Sequence, residues 1–453
     1  ALGLVTRFRS HLFFFGGHAA QIKLAYCMAY SRQEKSTDCE SSDSVRQKTC
    51  RRQQLQDQTH TKKSRASLPR RQIRSSPYLP RSFRNLPCPE QNICPSFSNN
   101  MSDYSLIISG DCGGTNTRLS LWKIPNGATQ LKGNIAPGDA IFAKKYLNED
   151  HASFNEVCHL FMNEAKLTDH VPEACVLACA GPILNNTVDF TNVEFGWKID
   201  GASLEKELGI KQVKLINDFA AMGYGLLTLR PHEYIVLNDA PKDETAPMAT
   251  IGAGTGLGEC FLTPGNDGQY SCFACEGGHT DFAPADEIEI ELYNEIKAKL
   301  GCSQRFSVER IVSGPGLATI YEFLAKKFPE KVDPKVHEQF LTANTQQGKV
   351  IGENAKTNEL CNQTLEIFVG AYGREAGNAM LKYLPRGGFY ITGGLAPKNL
   401  DYFTKKDIFL KSLFDKGRVS PALKACPIYL VLTEELGERG AHFYAYQLLH
   451  SNA

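Results

Sequence analysis

The sequence contains no run of about eighteen apolar residues, the length a membrane-crossing helix needs, and stretches such as 105–109 or 427–432 have only strand length. A membrane partner is therefore not expected. Nor do the 15 cysteines form a metal or disulfide pattern: Cys272 and Cys275 are the one C-x-x-C pair after residue 101, and no second pair completes a four-ligand zinc set. Cys175, Cys179 and Cys260 sit inside apolar strands, as thiols do in a reducing cytosol, so a cytoplasmic protein is expected. A Walker A loop is missing too, because no Lys-Ser/Thr pair follows either glycine-rich turn. The dinucleotide fingerprint also fails, since position 257 is Leu where G-x-G-x-x-G requires Gly.

Net charge is also small, +1, but it is unevenly spread. Residues 1–100 hold 17 Lys and Arg against 6 Asp and Glu, which leaves 33 against 43 for the remainder. This first hundred is rich in Arg, Gln and Ser, carries Pro at 69, 77, 80, 87, 89 and 95, and shows no sustained apolar period, so it reads as a disordered extension. Residues 1–33 include Arg7, Arg9, Lys23 and Arg32 and no acid, the composition of an organellar transit peptide. Met101 directly before the first good strand equally suits upstream sequence carried into a gene model. A nucleic-acid arm would need interleaved aromatics or a recognisable fold, and neither is present.

From Tyr104 onward the pattern is α/β. Strands are predicted at 106–109, 119–124, 174–180 and 213–216, with a helix over 154–167 whose Ser153 and Glu156 have capping-box spacing. A second set follows: a strand into Gly252, another over 259–262, helices over 286–300, 317–328 and 358–384, strands at 389–392 and 428–432, and a last helix over 438–449. Each set begins strand, glycine turn, strand, a weak sign of internal repetition. Gly370, Gly373 and Gly377 in the long helix predict close helix packing.

Four segments carry chemistry. The turn Gly110-Asp111-Cys112-Gly113-Gly114-Thr115-Asn116 is either a plain hairpin or a phosphate cradle with Asp111 holding Mg²⁺ or its waters. Gly252, Gly254, Gly256 and Gly258, with Thr255 among them, allow positive φ or close anion approach. Asn217-Asp218 ends an apolar strand; the pair is either a helix cap or a hydroxyl-positioning amide beside a general base. Glu276-Gly277-Gly278-His279 brings a carboxylate and an imidazole onto one tight loop, a grouping suited to vicinal hydroxyls.

The order Gly-Asp-x-Gly-Gly-Thr-Asn, Cys-Ala-Gly-Pro, Ile-Asn-Asp-Phe, Gly-Ala-Gly-Thr-Gly-Leu-Gly, Glu-Gly-Gly-His-x-Asp-Phe-Ala-Pro and Ser-Gly-Pro-Gly-Leu resembles bacterial-type glucokinases from about Ser105 to the C-terminus. The resemblance implies the actin/hexokinase fold, two ribonuclease-H-like lobes around a cleft, with Mg²⁺ and ATP phosphorylating glucose to glucose 6-phosphate. It implies Asp218 as base, with Asn217, Glu276, His279, Glu309 and, less directly, Asn192 around the sugar. The nucleotide falls to Gly110, Asp111, Cys112, Gly113, Gly114, Thr115 and Asn116, to Gly254, Thr255 and Gly256, and to Gly393 and Gly394. The lobes are expected at 101–228, completed by 433–453, and at 229–432; family relatives are often dimers, so a homodimer is allowed. Cys112 departs from the small aliphatic residue more usual there. The alternatives are a kinase for another hexose, or an actin-like nucleotide switch with no sugar chemistry.

Overall fold

The computed structural model describes residues 103–167, 170–190, 196–301 and 305–450. The N-terminal extension and Asn192 lie outside these residues.

The first sheet has five strands: β1 (Tyr104–Cys112), β2 (Asn116–Pro125), β3 (Asp139–Leu147), β4 (Ala174–Cys179) and β7 (Gln212–Asn217), with a separate ribbon of β5 (Thr187–Phe190) and β6 (Trp197–Asp200). Their order is β3-β2-β1-β4-β7; β1 runs antiparallel to β2 and parallel to β4, and β4 parallel to β7. β1 and β4 are buried on both faces, which is why they read as continuous apolar runs. One face is covered by α1 (Phe154–Glu164) and α2 (Gly201–Leu208), where Phe154, Val157 and Phe161 pack against Ile108, Leu119 and Leu177. Ser153 caps α1 through Glu156 N, as its spacing predicts. The other face receives α3 (Asp218–Leu226) and the last helix, Leu436–His450.

The second sheet comprises β8 (Tyr234–Asn238), β9 (Met248–Ala253), β10 (Leu257–Pro264), β11 (Tyr270–Cys275), β12 (Phe389–Thr392) and β13 (Ile428–Val431), in the order β11-β10-β9-β12-β13-β8. Leaving aside β8, the strand order and the pattern of parallel and antiparallel pairs repeat those of the first sheet. The repeat suggested by two similar glycine turns is thus a repeat of topology. Helices α4 (Glu287–Leu300), α5 (Gly314–Lys327), α6 (Pro334–Thr342), α7 (Gln347–Asn354) and α8 (Glu359–Tyr383) follow β11, and α9 (Leu395–Lys398), α10 (Leu400–Thr404), α11 (Ile408–Phe414) and α12 (Ser420–Lys424) lie between β12 and β13; the last helix is α13. Gly373 and Gly377 give the close packing read from sequence: a Cβ at either would stand 2.4 Å from a backbone oxygen of α11.

α3 and α13 cross at two glycines. A Cβ on Gly225 would meet the Leu436 carbonyl at 2.2 Å, and one on Gly440 would meet that of Ala221 at 1.7 Å. Arg439 of α13 is buried there, bonding Glu233 at 2.8 and 3.1 Å and the Thr228 hydroxyl at 3.1 Å. No described helix is long and apolar enough to cross a membrane, and the described cysteines are all free thiols.

Candidate active site

Sheet register sets the site. Cys112 of β1 pairs with Cys179 of β4, and Cys179 with Asn217 of β7, so the carboxyl ends of three parallel strands stop at one level. α/β sheets place their ligands beyond this edge. The first glycine turn, after β1, and Asp218, after β7, both emerge from it, with the end of β4 between them.

The turn closes where Gly113 N–H donates to the Asn116 carbonyl at 2.9 Å. Beside it opens a cavity of about 320 Å³, lined by Asp111, the turn residues Gly113, Gly114, Thr115 and Asn116, and two cations, Arg118 and Lys145. Asp111 pairs with Arg118 across β1 and β2, and Arg118 with Lys145 across β2 and β3. Like charges directly opposite on adjacent strands repel. An anion in the cavity they front would relieve that repulsion. Burial raises the Asp111 carboxyl, and the Arg118 charge opposes the rise. Gly110 and Cys112 belong to the strand interior: a Cβ on Gly110 would stand 2.7 Å from Leu177, and Cys112 is buried. Their side of the turn is packing, and Gly113 to Asn116 face the cavity.

Asn217 and Asp218 take the first of the two readings left open by the sequence, a helix cap, and keep polar groups free at the sheet edge. Asn217 Oδ1 caps α3, accepting from Phe219 N at 2.8 Å and Ala220 N at 3.3 Å, while Nδ2 donates to the Gly181 carbonyl at 3.2 Å. The amide still has a second N–H for a hydroxyl. Asp218 opens α3, and its Oδ1 accepts from Phe219 N at 2.8 Å. Although open to solvent on one side, the carboxylate loses hydration to the protein crowding it, and this raises its pKa; the charges of Asp111 and Glu276 raise it further, against the Phe219 hydrogen bond. A carboxylate whose pKa is raised accepts a proton more readily than an ordinary one. Asp111 and Glu276 are thus near enough to Asp218 for their charges to act on it.

The second glycine turn joins β9 to β10, with Gly254 N–H donating to the Gly256 carbonyl at 2.8 Å. None of Gly252, Gly254, Gly256 and Gly258 takes positive φ, which corrects that expectation; their value is space. A Cβ on Gly258 would lie 2.1 Å from the Phe219 ring and one on Gly252 3.0 Å from it, so these two glycines seat the residue next to Asp218. A Cβ on Gly256 would meet Glu309 Oε2 at 2.5 Å, whereas Gly254 is open. Thr255 is exposed at the tip. At the end of neighbouring β12, Gly393 does take positive φ, +78°, and a Cβ there would be 2.5 Å from the Ala253 carbonyl. Gly394 precedes α9, so the two stretches meet behind the turn.

His279 Nε2 lies 3.9 Å from Glu276 Oε2, both side chains exposed. The loop is docked by Gly278, where a Cβ would meet the Leu257 carbonyl at 1.9 Å, and by Val308 N–H, which donates to the Thr280 carbonyl at 2.8 Å. That second bond carries Glu309 to the site, where its Oε2 accepts from Leu257 N at 2.8 Å. Glu309 therefore touches the second glycine turn, a contact the sequence did not suggest. The Ser-Gly-Pro-Gly-Leu run starts α5, with Ser313 as its cap, and Gly314 N–H donates to the Gly254 carbonyl at 2.8 Å.

The glucokinase family model matches residues 108–448. The chain belongs to the glucokinase family. A glucokinase of Synechocystis is 38% identical over 355 residues, covering 75% of this chain and 98% of that one, and a glucokinase of Nostoc is 38% identical, covering 76% and 100%. In fold, the chain is similar to a glucokinase from an Antarctic psychrotroph, with TM-score 0.61, 24% identity, and coverage of 76% of this chain and 99% of that chain. A glucokinase from Balamuthia mandrillaris, solved in complex with glucose, gives TM-score 0.60 at 19% identity, covering 77% and 96%.

Within this glucokinase-family site, the sequence reading missed Arg118, Lys145 and Asn148. Arg118 stands two residues beyond Asn116 on the same strand face, a period-2 signal that could have found it. Lys145 and Asn148 carry no such signal, because only the pairing of β3 with β2 brings them to the turn. Among the described residues no group of three or more His, Cys, Asp and Glu side chains is placed to hold a metal ion.

Proposed function

We propose that the chain transfers the γ-phosphoryl group of ATP to the 6-hydroxyl of glucose, with Asp218 as general base. The observation that carries this reading is the common level of β1, β4 and β7, which sets Asp218 at the same sheet edge as a glycine turn fronted by Arg118 and Lys145. Glucokinase relatives of full matching length, and the glucose complex of the Balamuthia enzyme, support glucose as acceptor.

In this mechanism Asn217, Glu276, His279 and Glu309 pair the sugar hydroxyls, and each unmatched hydroxyl would leave a polar group without its partner. Asp218 accepts the proton of the attacking hydroxyl as the new O–P bond forms. Backbone N–H groups of the two turns and the cations Arg118 and Lys145 hold the phosphates. Asp111, an oxygen ligand fronting the phosphate cavity, fits Mg²⁺ bound directly or through water; the ion, when bound, neutralises charge on the phosphates. We read the first sheet with α13 as one lobe (101–228 with 433–453) and the second sheet with its helices as the other (229–432).

The test is a coupled assay of the purified chain over a panel of hexoses and phosphoryl donors, with Asp218→Ala beside it. Asp218→Ala is expected to lower kcat by about 10²- to 10⁴-fold while glucose binding persists. Retained turnover in that variant would refute Asp218 as base. A glucose-independent ATPase forming no sugar phosphate would instead indicate a nucleotide switch.

A further inference from the structure

Asn148 lies 33 residues beyond Thr115 in the chain, just after β3, and is 2% exposed. Its Nδ2 donates to the carbonyls of Gly113 at 2.8 Å and Gly114 at 3.1 Å, and its backbone N–H donates to that of Thr115 at 2.9 Å. The orientation of the amide is itself fixed, since Oδ1 accepts from the Thr117 hydroxyl at 3.0 Å. One buried residue thus takes up the carbonyls of three successive turn residues. In a peptide the carbonyl and the N–H of each unit point in opposite directions, so a carbonyl held toward Asn148 leaves its N–H partner directed away from it. Carbonyl oxygens turned toward the cavity would repel phosphate; N–H groups attract it.

We propose that Asn148 is the positioning residue that sets the first turn for the donor phosphates, acting through the backbone without touching the nucleotide. The assignment rests on the reading of this turn as an ATP phosphate site. It accounts for a buried amide with no place in the core, because all its side-chain partners belong to the turn or to the strand leaving it. It also predicts that donor and acceptor kinetics separate. The sugar groups on α3 and on the Glu276–His279 loop have no contact with Asn148.

Steady-state kinetics of the purified full chain test this, with ATP varied at saturating glucose and glucose varied at saturating ATP. Asn148→Ala removes three side-chain hydrogen bonds, two of them to the turn carbonyls, and is expected to raise the KM for ATP about tenfold or more. The KM for glucose should stay within about twofold, although the unsatisfied groups left behind lower the thermal midpoint by a few degrees. Thr117→Val, which keeps Asn148 but frees its amide to rotate, should raise the ATP KM in the same direction by a few-fold, and it carries the test if Asn148→Ala does not fold. An unchanged ATP KM in a folded variant, or ATP and glucose parameters worsening together, would overturn the assignment. Absence of any ATP-dependent turnover in the parent chain would instead overturn the kinase reading.

Discussion

Glu259 on β10 is fully buried, and neither carboxylate oxygen has a hydrogen-bond partner among the described residues. It lies directly beneath the sugar loop: a Cβ on Gly277 would stand 2.1 Å from its Oε2. Burial pushes this carboxyl from 4.5 up to about 7; Glu375 across on α8 adds to the rise, and Lys382 opposes it. The folded state then binds the proton more tightly than the unfolded chain between those two values. Stability contributed by the protonated form is therefore complete below pH 4.5 and is lost as pH rises through about 7. A rise of this size corresponds to about 3 kcal/mol lost by pH 8. Glu259→Gln keeps shape and removes the charge, so its stability should not fall through this window. With an unfolding entropy of roughly 0.7 kcal/mol/K for about 350 residues, the parent should lose about 4 °C of melting temperature relative to the variant between pH 5 and 8. Scanning calorimetry of both proteins over that range reads the difference directly. Parallel profiles would show that Glu259 is hydrated or paired in solution and would refute the reasoning.

Two further perturbations have definite signs. His442, buried and stacked on Trp122 at 3.8 Å between ring centroids, is pushed down by burial to about 4 from 6.5, so the unfolded chain takes up the proton first and stability falls as pH drops from 6.5 toward 4. His442→Phe should remove up to about 3 kcal/mol of that acid loss, and acid-unfolding midpoints that match the parent's would contradict it. Burial works to raise Glu233, but hydrogen bonds from Arg230 and Arg439 prevail and hold it at about 2, so removing Arg439 takes two of its hydrogen bonds and leaves the carboxylate to Arg230 alone. Arg439→Met should cost about 2–3 kcal/mol, and adding Glu233→Gln should recover part of it; a single-variant loss in denaturant melts below about 1 kcal/mol would sink this account.

The elements legible in the sequence are those with a strong apolar signal. β4 and β12 are buried throughout and β1 from Leu106 to Gly110, and α1 has both a stripe and a cap, so their positions follow from pattern alone. β3 gave no such signal, because eight of its nine residues are exposed or half-exposed, including Ile141, Lys144 and Lys145. It is an edge strand whose pairing with β2 is what identifies it. The site divides in the same way. Glycine spacing and neighbouring carboxylates pointed to Asp111, Asp218, Glu276 and His279, which are local in sequence. Lys145 and Asn148 are brought in by sheet register, and register is not written in any short window.

The second glycine turn shows what spacing alone conceals. Four glycines at alternate positions suggest one shared purpose, yet the fold divides them. Gly252 and Gly258 clear room for the Phe219 ring, Gly256 clears room for the Glu309 carboxylate, and Gly254 lies open at the turn. Phe219 adjoins Asp218, and Glu309 accepts from Leu257, so the second glycine hairpin is packed against one residue of α3 and hydrogen-bonded to the Glu309 carboxylate. α3 is gripped from behind as well, at the glycine crossing with α13. Asp218 is thus carried on the first turn of a helix clamped on two sides, one of them the second glycine turn. A base fixed to rigid elements holds its position against the reacting hydroxyl far better than one on a free loop. In the proposed mechanism, these glycines would serve the proton transfer, by letting α3 and the second hairpin touch, as much as they would serve the phosphate.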